Sequence, residues 1–285
     1  MTHWRSLLFV PADNDARCAK AARAGADAVV LDLEDGVGAG AKENARGKLP
    51  AAVAAVRAGG SAVVVRINGP WALAVEDIRV AAQCGVDALM VPKAEDSNRL
   101  EVIAEMAAEW AGGCAPGLIA LVETPRGIAA LTDIVRVPAV MGLALGTEDF
   151  SLALGVPPGA AALDLPSRRI ALAAAERGMM ALAVPLSIAQ FRDIDAYSAA
   201  ARHGAAYSVN GAICIHPAQV GAANACFGAT PAEHAEARRI IAAWEDALAA
   251  GLSVTALDGM MIDLPVAERA KRLLSRPLDA AGKGS

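Results

Sequence analysis

Aromatic residues are scarce in this sequence, at 4% of 285 residues, although hydrophobic residues make up 55% of the chain. The interior must therefore be built mainly from alanine, valine, leucine and isoleucine, a composition that suits helices packed around a parallel sheet. Positive charge is not in excess either, because the formal net charge is −5. Without a basic patch, we expect no nucleic acid partner.

The sequence also lacks an apolar run of the ~20 residues that a membrane-spanning helix needs, and its first residues do not follow the pattern of a signal peptide. Its five cysteines are odd in number and show no C-x-x-C spacing, which argues against a disulfide framework and a zinc site. We therefore expect a soluble protein of the reducing cytoplasm, with no membrane partner.

Several common functional fingerprints are missing as well. The sequence contains neither the glycine pattern of a dinucleotide-binding turn nor that of a P-loop, and it has no G-x-S-x-G serine motif. Its four histidines show no metal-ligand spacing. These absences remove the usual nucleotide-binding and serine-hydrolase interpretations.

Short apolar runs alternate with alanine-rich helical stretches, which is the pattern of repeated β-α units. We count eight runs, Ser6–Ala12, Ala28–Asp35, Ala62–Asn68, Ala88–Lys93, Gly117–Thr124, Val140–Phe150, Ala181–Ser187 and Gly211–Pro217. Eight such units favour an α/β fold of the closed (β/α)8 TIM barrel type over an open doubly wound sheet. We assign this barrel to residues 1–230.

Residues 231–285 lie beyond the eighth run and are predicted to form a C-terminal helical extension. A helix over Pro231–Ala249 is followed by Gly251–Asp263 and by an amphipathic stretch, Leu264–Leu274. Because nothing in the barrel requires this extension, it either caps the barrel or reaches a neighbouring subunit. The terminal Asp279–Ser285 is small and polar and is predicted to be frayed.

Polar residues end most of the apolar runs, and in a parallel barrel all strand C-termini open on the same face. These residues are Glu34, Asp35, Arg66, Asn68, Lys93, Glu123, Asp149 and His216. Any one of them could be a strand-end cap or part of an ion pair, and for His216 we favour such a structural role. The whole set predicts a functional site at the barrel mouth.

Glu123 and Asp149 are the candidate metal ligands, because carboxylate oxygens suit Mg2+, which usually keeps several waters. Glu34 and Asp35 could hydrogen-bond those waters. An acid/base pair without a metal is the alternative. It is the weaker interpretation, because so many acids at one mouth would repel one another without a cation.

Arg66 offers a planar fork of donors that matches a carboxylate, so it is a candidate substrate-binding and catalytic residue. The alternative is a salt bridge to a strand-end acid, namely Asp32, Glu34 or Asp35. The turn Gly146–Asp149 follows a buried run, where a small residue lets backbone N–H groups approach an anion closely. That turn is a weak signal by itself.

Eight segments of the sequence carry distinctive motifs, including the strand-end residues named above. They are Arg5–Ala12, Gly25–Val37, Val65–Gly69, Val91–Lys93, Val122–Gly127, Gly146–Phe150, Cys214–Gln219 and Asp258–Asp263. In this order they closely resemble the citrate lyase β-subunit-like family, which includes malyl-CoA, citramalyl-CoA and citryl-thioester lyases.

The resemblance implies a (β/α)8 barrel with Mg2+, or Mn2+ as an alternative, on Glu123 and Asp149. It also implies that Arg66, Gly146 and the backbone around Glu148 bind a keto acid. Asp263 would be the acid/base group, supplied to a neighbouring barrel within a homotrimer or hexamer. Without the resemblance, Asp263 is predicted to be a helix N-cap, because it precedes an amphipathic stretch.

The implied activity is metal-dependent retro-aldol cleavage of a 3-hydroxy-acyl thioester, such as a malyl-, citramalyl- or citryl-thioester, to a keto acid and an acyl thioester. The thioester carrier would be coenzyme A or acyl carrier protein. Three alternatives stay open: a thioester hydrolase, a malate-synthase-like condensing enzyme, and a subunit that acts only within a lyase complex.

The sequence departs from the family's pattern in three places. Pro70 and Trp71 directly follow the Asn-Gly turn, which shortens the third loop, and Leu182-Ala183 stands where many members carry an Ile-Asp pair. An arginine that is common early in the first helix is shifted to Arg17. The first two departures bear on the substrate more than on the reaction type, and the third leaves the phosphate contacts of coenzyme A unassigned.

Overall fold

The computed structural model describes residues 3–278, so the predicted fraying of Asp279–Ser285 falls outside the described residues. The chain separates into two compact units, with the division between Cys226 and Phe227. Throughout residues 3–278, each helix is too short or too polar to cross a lipid bilayer.

The first unit contains eight parallel strands in the order β7-β6-β5-β4-β3-β2-β1-β8. The strands are β1 (Ser6–Pro11), β2 (Ala28–Asp32), β3 (Ala62–Arg66), β4 (Ala88–Val91), β5 (Gly117–Val122), β6 (Val140–Leu145), β7 (Met180–Leu182) and β8 (Ala212–Cys214). A parallel bridge between Leu182 and Gly211 brings the two ends of this order together. The predicted (β/α)8 barrel is therefore confirmed, and each strand overlaps its predicted apolar run.

Helices follow the strands along the chain. They are α1 (Asp15–Ala21), α2 (Lys42–Ala58), α3 (Trp71–Gln83), α4 (Ser97–Trp110), α5 (Pro125–Ala129), α6 (Leu131–Ile134), α7 (Thr147–Leu154), α8 (Ala160–Arg177), α9 (Ile194–Ala205) and α10 (Pro217–Phe227). The side chains of Asn14, Asp96 and Asp193 cap α1, α4 and α9 by accepting backbone N–H groups. Gly155 and Gly178 end α7 and α8 in the left-handed conformation that favours glycine.

The barrel interior is packed with side chains from alternate positions along the strands. Its buried cluster consists of Trp4, Leu7, Ala28, Val30, Val64, Ala88, Met90, Ile119, Leu121, Ala144, Met180 and Leu182. Most of these side chains are aliphatic or small, as the low aromatic content predicts. Because the interior is filled, a ligand site is expected at an end of the barrel.

The second unit is a helix, a hairpin and a second helix. Its elements are α11 (Pro231–Ala249), β9 (Thr255–Leu257), β10 (Met260–Ile262) and α12 (Leu264–Leu274), and β9 pairs with β10 in antiparallel register. Both helices match the predicted stretches, but the hairpin was not predicted. Its turn holds Asp258 and Gly259 at φ of 51° and 80°, and Asp-Gly at positive φ is a common hairpin turn.

Candidate active site

The C-terminal end of the barrel collects most of the polar residues that we predicted there. Arg66 is the last residue of β3, and Glu123 directly follows β5. Glu34 and Asp35 lie in the turn after β2, and Lys93 lies two residues beyond β4. Because the strands are parallel, these positions open on one face.

Asp149 is not a strand-end residue, contrary to our expectation. β6 ends at Leu145, Gly146 is the N-cap of α7, and Asp149 lies with Glu148 in the first turn of that helix. The buried side chain of Phe150 extended the apolar run in the sequence although it belongs to the helix. Acidic residues are favourable in a first helical turn, where the helix dipole is positive.

Arg66 is engaged by a neighbouring acid. Its Nε and Nη2 donate to Oδ1 and Oδ2 of Asp32, each at 2.7 Å, and both residues are buried. Its Nη1 lies 3.0 Å from Glu34 Oε2 and 3.7 Å from Asp35 Oδ2. The alternative of a salt bridge is therefore confirmed. We expected the fork of donors on Arg66 to bind a ligand, but its Nε–Nη2 edge is occupied by Asp32.

Glu123 is buried close to other acids. Burial raises the pKa of Glu123 to about 7, and the charges of Glu34 and Asp149 also raise it, although the backbone N–H of Lys93 donates to its Oε2 at 2.7 Å and opposes the shift. Burial likewise raises the pKa of Glu34 to about 7, against the opposing charge of Arg66. The mouth is therefore short of positive charge.

The oxygen Oε2 of Glu34 adds to this imbalance. It is buried and has no hydrogen-bond partner in the described part of the chain. The guanidinium of Arg66, 3.0 Å away, makes an ion pair with it but does not have hydrogen-bond geometry. An unsatisfied carboxylate oxygen among raised-pKa acids fits a divalent cation, for which carboxylates and water are the preferred ligands.

Residues 3–278 contain no group of three or more His, Cys, Asp or Glu side chains arranged to hold a metal. A site with two carboxylates is smaller than such a group, and Mg2+ is usually held by one or two carboxylates with waters completing its shell. Glu123 and Asp149 therefore stay predicted metal ligands.

Gly146 approaches Glu123 closely. A Cβ atom at Gly146 would lie 2.5 Å from Glu123 Cγ and 2.9 Å from its Oε1. The N–H of Gly146 donates to the carbonyl of Val122 at 2.9 Å, so this N–H is not free for an anion. The side chain of Glu148 accepts a hydrogen bond from Ser187 at 2.6 Å. The backbone N–H of Glu148, in the first turn of α7, is therefore the group of this residue that could bind a ligand.

A pocket of about 740 Å³ lies beside Arg66. Its polar and aromatic lining residues include Asp32, Asp35, Arg66, Arg17, Lys20, Phe191 and His216. The rings of Phe191 and His216 stack at 5.0 Å, and His216 Nδ1 accepts the N–H of Ala218 at 3.2 Å, which agrees with the structural role favoured for this histidine. No sequence pattern pointed to Phe191 or Lys20.

Asp263 is the N-cap of α12, in the second unit. Its Oδ1 accepts the backbone N–H of Val266 at 3.1 Å, so the N-cap prediction is confirmed. The side chain is half-buried. Its acid/base role stays a prediction.

Residues 5–217 match the family model described as HpcH/HpaI aldolase/citrate lyase. A citrate lyase subunit beta-like protein of Mycobacterium tuberculosis is 34% identical over 289 residues, which covers 97% of this chain and 96% of that protein. A (3S)-malyl-CoA thioesterase of Cereibacter sphaeroides is 31% identical over 265 residues, which covers 91% of this chain and 90% of that protein.

A solved structure has a similar fold. The CitE protein of Mycobacterium tuberculosis, in complex with magnesium, acetoacetate and coenzyme A, is 32% identical and matches with a TM-score of 0.73. The match covers 94% of this chain and 96% of that one. A second structure, a citrate lyase beta subunit complexed with oxaloacetate and magnesium from the same organism, has a TM-score of 0.65 and covers 79% of this chain and 97% of that one, at 32% identity.

Proposed function

We propose, since the chain belongs to the HpcH/HpaI aldolase/citrate lyase family, that it is a metal-dependent carbon–carbon lyase. The substrate would be a 3-hydroxy-acyl thioester such as a malyl-, citramalyl- or citryl-thioester, and the products a keto acid and an acyl thioester. The observation that carries the proposal is the meeting of a buried guanidinium with the raised-pKa carboxylates of Glu34 and Glu123 at one end of the barrel.

Mg2+ is the proposed cofactor, because related structures are complexes with magnesium. Glu123 and Asp149 would hold it, and Glu34 and Asp35 would hydrogen-bond its waters. When bound, the ion supplies a Lewis acid and a template for the hydroxyl and carboxylate oxygens of the substrate.

Cleavage breaks the bond between the hydroxyl-bearing carbon and the carbon next to the thioester carbonyl. The hydroxyl oxygen passes its proton to water as it becomes the carbonyl of the keto acid, and the carbon next to the thioester gains a proton from Asp263, which is then reprotonated from water, so that no net proton is taken up. Arg66 and the N–H of Glu148 would bind the carboxylate of the keto-acid half. Asp263 would deliver the proton, through Oδ2, because its Oδ1 caps α12.

The pocket beside Arg66 is the proposed place for the carrier of the thioester. Arg17 and Lys20 line this pocket from α1, and their charge suits the phosphates of coenzyme A or of a phosphopantetheine arm. Coenzyme A is a ligand in the related CitE structure.

We propose a homotrimer or hexamer in the cytoplasm. The five cysteines form no disulfide, as is expected in that reducing compartment.

A thioester hydrolase is the second candidate, because a relative of nearly equal length is a (3S)-malyl-CoA thioesterase. Product analysis separates the two activities. A keto acid with an acyl thioester indicates the lyase, whereas free coenzyme A with an intact hydroxy diacid indicates the hydrolase. A condensing enzyme would instead consume a keto acid and an acyl thioester.

The test is incubation of the purified chain with malyl-, citramalyl- and citryl-CoA and Mg2+, followed by mass spectrometry. We expect cleavage of one of these thioesters, and we expect EDTA and the variants Glu123→Gln and Asp149→Asn to abolish it while the fold is retained. Asp133→Asn, at an exposed carboxylate paired with Arg136, is the control. Undiminished cleavage in EDTA would contradict the metal site, and activity that requires an added protein would indicate a subunit of a complex.

A further inference from the structure

Asp32 and Arg66 are direct neighbours across two parallel strands. They are paired in the register of β2 with β3, and Nε and Nη2 of Arg66 donate to the two oxygens of Asp32 at 2.7 Å each. A bidentate pair of this kind fixes the plane of the guanidinium. These two bonds leave both N–H groups of Nη1 and one N–H group of Nη2.

The same carboxylate organises the turn that follows β2. Oδ1 of Asp32 accepts the N–H of Glu34 at 2.9 Å, and Oδ2 accepts the N–H of Gly36 at 2.8 Å. A Cβ atom at position 36 would lie 2.4 Å from Asp32 Oδ2, so glycine is required for this contact. Asp32 therefore holds Arg66 and the acidic turn in one arrangement.

Nη1 is the part of Arg66 nearest the acidic turn. It lies 3.0 Å from Glu34 Oε2 and 3.7 Å from Asp35 Oδ2, and the ring of Phe9 covers the guanidinium with its centroid 5.1 Å from Cζ. Arg66, Asp32 and Asp35 all line the 740 Å³ pocket.

We infer that Asp32 is a positioning residue that holds Arg66 by its Nε–Nη2 edge so that the keto acid is bound end-on, by the N–H groups of Nη1 and the remaining N–H group of Nη2. This inference rests on the proposed function and specifies how its anion is recognised. It replaces the fully open guanidinium that the sequence led us to expect. Because Asp32 occupies the Nε–Nη2 edge, only the three N–H groups at the Nη1–Nη2 end can donate to a ligand.

The chain provides a matched control for Asp32. Asp27 precedes β2 at its other end and accepts Nε and Nη2 of Arg5 at 2.9 and 2.8 Å. The side chains of this pair are similarly buried, at 11% and 18% exposure against 11% and 5% for Arg66 and Asp32. Asp27→Asn therefore removes a comparable ion pair away from the mouth.

The first experiment measures oxaloacetate binding with Mg2+ by isothermal titration calorimetry. We expect Asp32→Asn to weaken binding about tenfold or more and Asp27→Asn to change it less than about twofold. If the substrate competes with Asp32 for the fork, Asp32→Asn would instead free the fork and tighten binding, which would overturn the inference. Equal losses in the two variants would overturn it as well.

A double-mutant cycle with Arg66→Lys separates positioning from general damage. If Asp32 acts through Arg66, the losses in affinity are strongly non-additive, and Asp32→Asn has little further effect in the Arg66→Lys protein. Additive losses would mean that Asp32 acts independently of Arg66. We also expect Asp32→Asn to raise KM for the thioester together with a loss in kcat/KM, whereas Asp27→Asn lowers Tm alone.

NMR of wild-type protein with 15N-labelled arginine does not depend on a variant that folds. Oxaloacetate with Mg2+ is expected to shift the Nη1 and Nη2 signals of Arg66 and to leave its Nε–H signal in place, and a large shift of Nε–H would contradict end-on binding. Wild-type protein that binds no oxaloacetate would overturn the end-on contact and the keto-acid class of the proposed function. In that case a slowly exchanging Arg66 Nε–H that exchanges fast in Asp32→Asn would still support the positioning role.

Discussion

Glu123 is the residue at which burial and charge conflict most. The residue is 2% exposed, and burial together with the neighbouring acids raises the pKa of its carboxyl group to about 7. The folded protein therefore binds a proton at Glu123 more tightly than the unfolded chain does. Without a metal, this group destabilises the fold progressively as the pH rises from the ordinary glutamate pKa of about 4.5 to about 7.

This conflict predicts a pH-dependent difference in stability between wild-type protein and Glu123→Gln in EDTA. At pH 5 the two should have similar free energies of unfolding, and at pH 8 the variant should be the more stable, by on the order of 3 kcal/mol at most. Urea unfolding at both pH values measures the difference. Mg2+ should stabilise the wild-type protein at pH 8 and have little effect on the variant. A variant that is less stable than wild type at pH 8 in EDTA would contradict the destabilising effect that we assign to the ionised Glu123 carboxylate.

Among the structural elements, the junction of β6 with α7 brings Gly146 against Glu123. An alanine at position 146 must displace the Glu123 side chain, since its Cβ would lie 2.5 Å from Glu123 Cγ. We predict that Gly146→Ala lowers Mg2+ affinity and cleavage at least tenfold. Gly159→Ala is the control, because Gly159 is also the N-cap of a helix and has open space around it. Calorimetric Mg2+ titration of both variants checks the prediction. Equal affinities would show that Mg2+ binding does not depend on the position that the Glu123 side chain takes beside Gly146.

A second junction, where β3 meets α3, depends on a fully buried acid. Asp77 in α3 accepts the backbone and side-chain N–H groups of Asn68 at 2.8 and 2.7 Å, and Nε of Arg46 at 2.8 Å. We predict that Asp77→Ala lowers the free energy of unfolding by about 3–5 kcal/mol, because it leaves Arg46 and Asn68 without this partner. Urea denaturation tests this, with Asp133→Ala at an exposed pair as a control that should change little. A loss no larger than that of the control would contradict the bracing role of Asp77.

The sequence predicts the barrel elements better than their ends. The apolar runs after β2 and β3 continue through Leu33 and Ile67, which are fully buried although they lie beyond the strands. Their N–H groups still donate across the sheet, that of Leu33 to the carbonyl of Arg66 at 3.0 Å and that of Ile67 to the carbonyl of Met90 at 3.2 Å, so burial extends a predicted strand by the residue or two over which the sheet pairing ends. The same effect concealed the start of α7 at Gly146, and with it the helical position of Asp149.

The sequence predicts a feature of the site where the type and position of one residue are enough to indicate it. It does not predict which residues pair across neighbouring strands, because that depends on strand register. Carboxylates at strand ends were visible in the sequence, because a parallel barrel brings such ends together. The pairing of Asp32 with Arg66 depends on the register of β2 against β3, which no local pattern records. The sequence therefore favoured a substrate as the partner of Arg66, with a salt bridge to Asp32, Glu34 or Asp35 only as the alternative, and the structure realises the pairing with Asp32.

At the scale of the whole molecule, the second unit carries the proposed acid/base residue. Its hairpin exposes Met260 and Met261, at 61% and 62%, and Leu264 beyond it is 55% exposed. Exposed apolar side chains of this size often mark an interaction surface. If the extension reaches a neighbouring subunit, one active site is built from two chains.

Complementation between two inactive variants tests this arrangement. Glu123→Gln keeps a working Asp263, and Asp263→Asn keeps a working Glu123. After subunit exchange in an equal mixture, a site is intact when its barrel comes from the second variant and its extension from the first, so about one half times one half, or roughly a quarter, of wild-type activity should return. If Asp263 serves the barrel of its own chain, every site retains a defect and the mixture stays inactive.

The control replaces Asp263→Asn by Asp258→Asn, which alters an exposed acid at the hairpin turn. This variant should be active before mixing. Activity measured against the mixing ratio, with the oligomer size checked by light scattering, decides between shared and self-contained sites, because a shared site gives a maximum at equal amounts and a self-contained site gives none.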